Sequence, residues 1–194
     1  MNEAFLAGRP DGSRRVTLRP LAGRDQSEFL DLVGASLDLH RPWTSLPATP
    51  QGFQAYLARY ERPDEESLLI CLRGTGAIAG MVNINSIIRG RFQSGSLAYA
   101  AFAPTAGQGY MSEGLDLVLR HAFERLRLHR LEAQIQPDNH ASLKLVRRNG
   151  FRKEGYSPDL LFIDGAWRDH EQWAITSTMM DIAPTGPHPT LPER

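Results

Sequence analysis

The sequence has a single cysteine, Cys71, so no disulfide can close within the chain. That cysteine sits in the apolar run "LLICLR", where it reads as a buried core thiol rather than a reactive one. An excess of charge of either sign is also missing. Lys plus Arg and Asp plus Glu both number 22, so nothing favours a general binder of nucleic acid or membrane surfaces, although a local basic patch stays open. No apolar stretch approaches the roughly 20 residues that span a bilayer. The start, "MNEAFLAGRPDGSRR", lacks the basic-then-apolar order of a signal peptide. A cytoplasmic protein without membrane contact is expected. No spacing of His, Cys and Asp suggests a metal site.

What is present suits one ordinary domain: 194 residues, 41% hydrophobic and 23% charged. The pattern predicts a flexible lead over residues 1–13, a folded domain over 14–177 and a proline-rich, disordered tail over 178–194. A short strand falls on "RRVTLRPL", and helical spacing of Phe29, Leu30, Val33 and Leu37 predicts a helix over 25–37. Thr49 followed by Pro50 reads as a cap opening a helix through Tyr60. Strands over 67–73 and 77–86 are joined by Gly74-Thr75-Gly76, and a further strand lies in "SGSLAYAAFAP". Met111, Leu115, Val118, Leu119, Ala122, Phe123 and Leu126 line one face of a long amphipathic helix. "RLEAQIQP" alternates as a strand. "DNHASLKLVRRNG" reads as a helix capped by Asp138 or Asn139 and stopped at Gly150. Short strands with an Asp164-Gly165 turn follow. The mixture indicates an α/β protein built on one mixed sheet.

The stretch "APTAGQGYMSEG", residues 103–114, places two glycines just before the long helix. A P-loop would need a Lys-Ser/Thr pair after the glycines, and none follows. A dinucleotide fingerprint would need a third glycine where Ser112 stands and an acid near His129. Two readings remain. One is a bare helix-entry turn; the other is a main-chain anion cradle at a helix N-terminus. The second helix start poses the same choice, with Asn139 and Ser142 either as plain capping residues or as groups facing a cofactor.

Together, "AGQGYMSEG", "LHRLEAQIQPDNHAS", "LVRRNGFRKEGY" and "LLFIDGAWRDHEQWAI" resemble the GNAT superfamily of acyl-CoA-dependent N-acyltransferases. Within it they are similar to the RimJ and RimL branch of ribosomal-protein N-terminal acetyltransferases, and "HRPW" and "IIRGRFQSGSLAY" lean towards the RimJ side. The resemblance implies a single α/β (α+β) domain with a central, mixed, mostly antiparallel, splayed sheet flanked by helices, and acetyl-CoA lying in the splay. It implies cofactor contacts from Phe102, Ala103, Gly107, Gln108, Gly109, Tyr110, Met111, Ser112, Asn139 and Ser142. Phe102 or a neighbour would polarise the thioester carbonyl through a main-chain N–H. In the family's loop pattern, Gln/Arg-x-x-Gly-x-Gly/Ala, Ala106 takes the Gln/Arg position and Met111 the last small one.

For catalysis the resemblance implies Ser142 as hydroxyl donor to the departing sulfur. The branch's acid position falls on Leu161, which leaves Asp159, two residues earlier on the same strand face, as the substitute base. His40, Arg41 and Trp43 are candidates to line the acceptor groove, with Trp43 as a core plug the other reading. Asp169-His170 reads as structural, since neighbours in a strand point to opposite faces. Lys144, Arg147, Arg148 and Arg152 would meet the coenzyme's 3′-phosphate or form a solvated face. The implied acceptor is a protein N-terminal amine. A small-molecule amine, an aminoacyl-tRNA, or a non-catalytic acyl-CoA sensor on the same scaffold are the alternatives.

Overall fold

The computed structural model describes residues 14–182; the predicted lead over 1–13 and residues 183–194 of the predicted tail lie outside them. In chain order the elements are β1 (Val16–Pro20), α1 (Gln26–Ala35), α2 (Leu37–His40), α3 (Pro50–Arg59), β2 (Glu66–Leu72), β3 (Ile78–Ile88), β4 (Ser94–Ala101), α4 (Tyr110–Arg120), β5 (Arg130–Ile135), α5 (His140–Arg148), β6 (Arg152–Ile163) and β7 (Ala166–Thr176). The strands form one sheet in the order β1-β2-β3-β4-β5-β7-β6. Its neighbours run antiparallel except β4 and β5, which are parallel and therefore need α4 as the crossover between them.

Both faces of the sheet are covered, which explains why β2 reads as an apolar run rather than an alternating one. Leu68 and Ile70 of β2 join one core with Leu115, Val118 and Leu119 of α4 and Leu143 and Val146 of α5. Leu69 and Cys71 face the other core, with Phe29 of α1, Phe53 of α3 and Phe102. Cys71 is buried there, as its apolar context predicts. Phe29 anchors that side, 5.3 Å from the Phe53 ring and edge-on to Phe102 at 5.8 Å.

Three differences from the sequence pattern have local causes. The helix predicted over 25–37 breaks at Ser36, whose hydroxyl donates back to Leu32 O and accepts the Ala103 N–H at 2.9 Å. The "short strands" after Gly150 are two long ones of 12 and 11 residues. Register shifts at Lys153/Gly155 and Ser157/Leu161 interrupt their alternation, so the sequence looks fragmented. At the other end, residues 177–180 form a helical turn, and Met179, Met180 and Ile182 pack on the core beyond the predicted domain limit. Other local signals match: Thr49 Oγ1 accepts from the Gly52 N–H, and Asp164-Gly165 makes the β6–β7 turn with φ of 50° and 78°.

Helix α4 meets the sheet at Gly114 with no room for a side chain. A Cβ added there would fall 2.3, 2.6 and 2.8 Å from three carbons of the buried Ile70 side chain. Gly114→Ala is therefore expected to lower stability by about 1–2 kcal/mol, because overpacking exceeds the helix-propensity gain of about 1 kcal/mol. Thermal melting of the variant checks this.

Candidate active site

The site begins where two neighbouring strands separate. β4 and β5 pair from Ser94–Arg130 to Leu97–Ala133, yet β4 continues to Ala101 and β5 to Ile135. Beyond Leu97 each strand stays with its outer neighbour: Ala101 pairs with Gly80 on β3, and Ile135 with Glu171 on β7. A gap opens between the C-terminal ends of the only parallel pair in the described sheet.

The peptide groups of β4 alternate between β3 and the gap. Phe102 N–H donates to Ala79 O at 3.3 Å, which turns it towards β3. Ala103 N–H is held by Ser36 Oγ. Neither of these expected donors points into the gap; the peptide groups of Tyr99 and Ala101 do. The Ala101 carbonyl accepts from His40 Nε2 at 2.8 Å, so that nitrogen carries the proton. His40 is only 6% exposed and lies edge-on to the Phe102 ring. It thus closes the end of β4 rather than lining an open groove. Arg41 beside it is exposed, and Trp43 is half-buried outside both core clusters.

The loop after β4 leads to the start of α4. Gly107 and Gly109 take φ of 76° and 85°, where side chains are strained. A Cβ on Gly107 would meet nothing within 4 Å, so the loop surface there is open. Gln108 braces the loop, its Nε2 donating to Pro104 O. Gly109 caps α4 with no side-chain hydrogen bond; its carbonyl accepts the N–H groups of Ser112 and Glu113. The N–H groups of Tyr110 and Met111, one step earlier, have no intrahelical acceptor and suit an anion. The Ser112 hydroxyl accepts from Asn149 Nδ2 at 3.2 Å and ties α4 to α5.

Met111 does not obstruct this loop. Its side chain turns inward onto β3, where its sulfur lies 2.2 Å from the position a Cβ on Gly80 would take. Gly80 therefore makes the room that Met111 uses. Arg15, which the sequence pattern did not single out, lies on the loop's outer side. It donates to Gln108 O at 3.0 Å and to Glu113, and its guanidinium covers the Tyr110 ring at 4.5 Å. The position before β1 gives no local signal of this, because its partners lie 93 and 98 residues further along the chain.

Across the gap, Asn139 caps α5, its Oδ1 accepting the Ser142 N–H at 3.1 Å. Ser142 is half-buried in the first turn and faces Tyr99 from β4. Asp159 is exposed with φ of 47°, inside the β6 irregularity, so it and Leu161 lose the simple alternation that would give them one face. Its N–H donates to Asp169 Oδ1 at 2.9 Å, and the Tyr156 hydroxyl donates to the same carboxylate, holding Asp169 below its ordinary value. His170, on the opposite face, is buried and bonds Arg168 O at 2.8 Å. Of the basic cluster, Arg147 lies over the Trp173 ring and Arg152 pairs with Glu154, while Lys144 and Arg148 are exposed. Among the described residues no group of three or more His, Cys, Asp or Glu side chains could hold a metal ion. No helix there is long and apolar enough to cross a membrane.

A parted parallel strand pair, with an open glycine loop at one helix start and a capped serine at the other, matches a known arrangement. The profile of the acetyltransferase (GNAT) domain covers residues 15–152. The chain belongs to the GNAT acetyltransferase family. Like its relatives, this GNAT enzyme is an acetyl-CoA-dependent N-acetyltransferase. It is 31% identical to the probable N-acetyltransferase YjcK of Bacillus subtilis over 170 residues, covering 84% of this chain and 94% of that one. It is 29% identical to the [ribosomal protein uS5]-alanine N-acetyltransferase of Escherichia coli, covering 84% and 88%. Among solved structures, Mycobacterium smegmatis RimJ in complex with CoA-disulfide superposes with a TM-score of 0.78 at 28% identity, covering 84% of this chain and 82% of that one.

The room for Met111 can be tested. Gly80→Ala is expected to force the sulfur out of its seat, lower the melting temperature and weaken coenzyme A binding measured by calorimetry. Adding Met111→Ala is expected to restore part of both, because the closest clash needs both side chains while a 3.0 Å contact to the Ala100 carbonyl oxygen stays.

Proposed function

We propose that this GNAT enzyme acetylates the N-terminal α-amine of a protein, of the ribosomal-protein kind, by direct attack of the neutral amine on the thioester. The observation that carries the reading is the likeness to the uS5-alanine enzyme, which spans 84% of this chain. The chemistry of the acceptor agrees with it. An α-amine titrates near 7.7–8.0, so about a tenth is neutral at pH 7, whereas a lysine amine near 10.4 needs a strong base.

The residues fit the cofactor. Gly107 and the N–H groups of Tyr110 and Met111 would hold the pyrophosphate, with Gln108 and Gly109 shaping the loop and Ser112 fixing it to α5. Arg15 would supply the cation that Ala106 does not. Bound acetyl-CoA supplies an activated acetyl group on a sulfur leaving group. The Ala101 N–H, rather than that of Phe102, faces the gap and would donate to the acetyl oxygen. Ser142 would donate to the departing sulfur, a modest aid because a thiol near pKa 8.5 already leaves well. Asp159, exposed on the hairpin, would receive the amine proton through water. Arg41 and Trp43 would line the acceptor's approach, and His40 would fix the end of β4 beside it.

Free-thiol release with peptides bearing free α-amines, with polyamines and with aminoacyl esters tests the acceptor. Fastest turnover is expected on a peptide α-amine; a faster polyamine or aminoacyl ester overturns that choice, and tight acetyl-CoA binding without thiol release on any amine points to a sensor. Ser142→Ala is expected to lower kcat by about ten- to a hundredfold, at or below the low end for acid–base groups because a thiol already leaves well. Arg15→Ala is expected to weaken coenzyme A binding by about two- to fivefold, a difference that shrinks as salt rises. Titration calorimetry at two ionic strengths checks it.

A further inference from the structure

Tyr99 stands on β4 on the face that packs against α4 and α5, beside the gap. Its hydroxyl is sealed from solvent and has no hydrogen-bond partner among the described residues, a costly position for a donor. The polar group it faces is the Ser142 hydroxyl, near enough to act on its acidity but outside hydrogen-bond geometry. Burial pushes the phenol well above its ordinary value, so Tyr99 keeps its proton and can serve only as a neutral hydroxyl.

Ser142 has one proton and an oxygen that also accepts. Its N–H is already taken by Asn139, so the helix turn is fixed while the hydroxyl rotor is not. A donor arriving from Tyr99 would occupy a Ser142 lone pair and turn the serine proton away from β4, into the gap. We propose that Tyr99 is a positioning residue which, when the gap is filled, donates to Ser142 Oγ and aims the serine O–H at the departing sulfur. This rests on the acetyl-transfer reading and on the role given to Ser142 above. No proton leaves either hydroxyl: the amine lone pair forms the new bond to the acetyl carbon, the carbon–sulfur electron pair goes to sulfur, where the Ser142 O–H stabilises it, and the amine proton leaves through water. The buried Tyr99 hydroxyl, unpartnered among the described residues, then has a donor to give in the bound state.

Tyr99→Phe removes only the hydroxyl. Because that hydroxyl lacks a partner, the free variant is expected to melt at or above the wild-type temperature. Its kcat, followed by thiol release, is expected to fall about tenfold, with KM for acetyl-CoA unchanged within about twofold. In a Ser142→Ala background the same change is expected to cost nothing further, since Tyr99 acts through Ser142. A readout apart from turnover is the ultraviolet titration of the thiol of bound coenzyme A: Tyr99→Phe is expected to raise its pKa towards that of free coenzyme A, as Ser142→Ala does. An unchanged kcat and thiol titration in Tyr99→Phe, or losses that multiply in the double variant, overturn the proposal. If Ser142→Ala itself changes neither quantity, the role of Ser142 fails and the proposal with it. That outcome is distinct from one in which only Tyr99→Phe is silent.

Discussion

The separation of β4 from β5 is the constraint on which the site depends. Each strand keeps its hydrogen bonds to its outer neighbour to the end, Ala101 with Gly80 and Ile135 with Glu171, so neither can follow the other past Leu97 and Ala133. Because the two strands are parallel, both helices that follow them start at the same edge of the sheet. The Gly109 end of α4 and the Asn139 end of α5 therefore flank one opening. The same separation exposes main-chain groups of Tyr99 and Ala101 in the middle of a well-packed sheet. Such groups are normally paired across a sheet; here the Ala101 carbonyl is met instead by His40 Nε2, a side chain from outside the sheet.

The parts of this arrangement that local chemistry dictates were legible in the sequence. Gly107 and Gly109 marked the loop, Asp138 or Asn139 marked the second cap, which Asn139 makes, and the apolar stripe from Met111 marked α4. Together with the other motif fragments they supported both the fold and the cofactor. What was not legible depends on partners distant in sequence. The resemblance implied a main-chain donor at Phe102 or a neighbour, and which of these turns away from the gap depends on Ala79, which accepts the Phe102 N–H. Arg15 and Tyr99 carried no motif, since what singles each out is a group on another part of the chain: Gln108 for the first, Ser142 for the second. Asp159 was placed by strand alternation, and alternation fails where β6 carries extra residues between Ser157 and Leu161.

The two departures from the family's loop pattern have the same physical resolution. A site built from main-chain N–H groups tolerates side-chain change, provided that the side chain has somewhere else to go and the lost charge is supplied otherwise. Met111 goes into the space above Gly80, and a glycine on β3 is what allows a large residue at the second position of α4. Ala106 contributes no cation, but Arg15 arrives from outside the loop and is held in place by Glu113 of the first helical turn and the Tyr110 ring. The carboxylate that orients Arg15 also offsets part of its charge. The cation is thus fixed in position at some cost in field strength, and it adds to the partial positive charge of the α4 N-terminus.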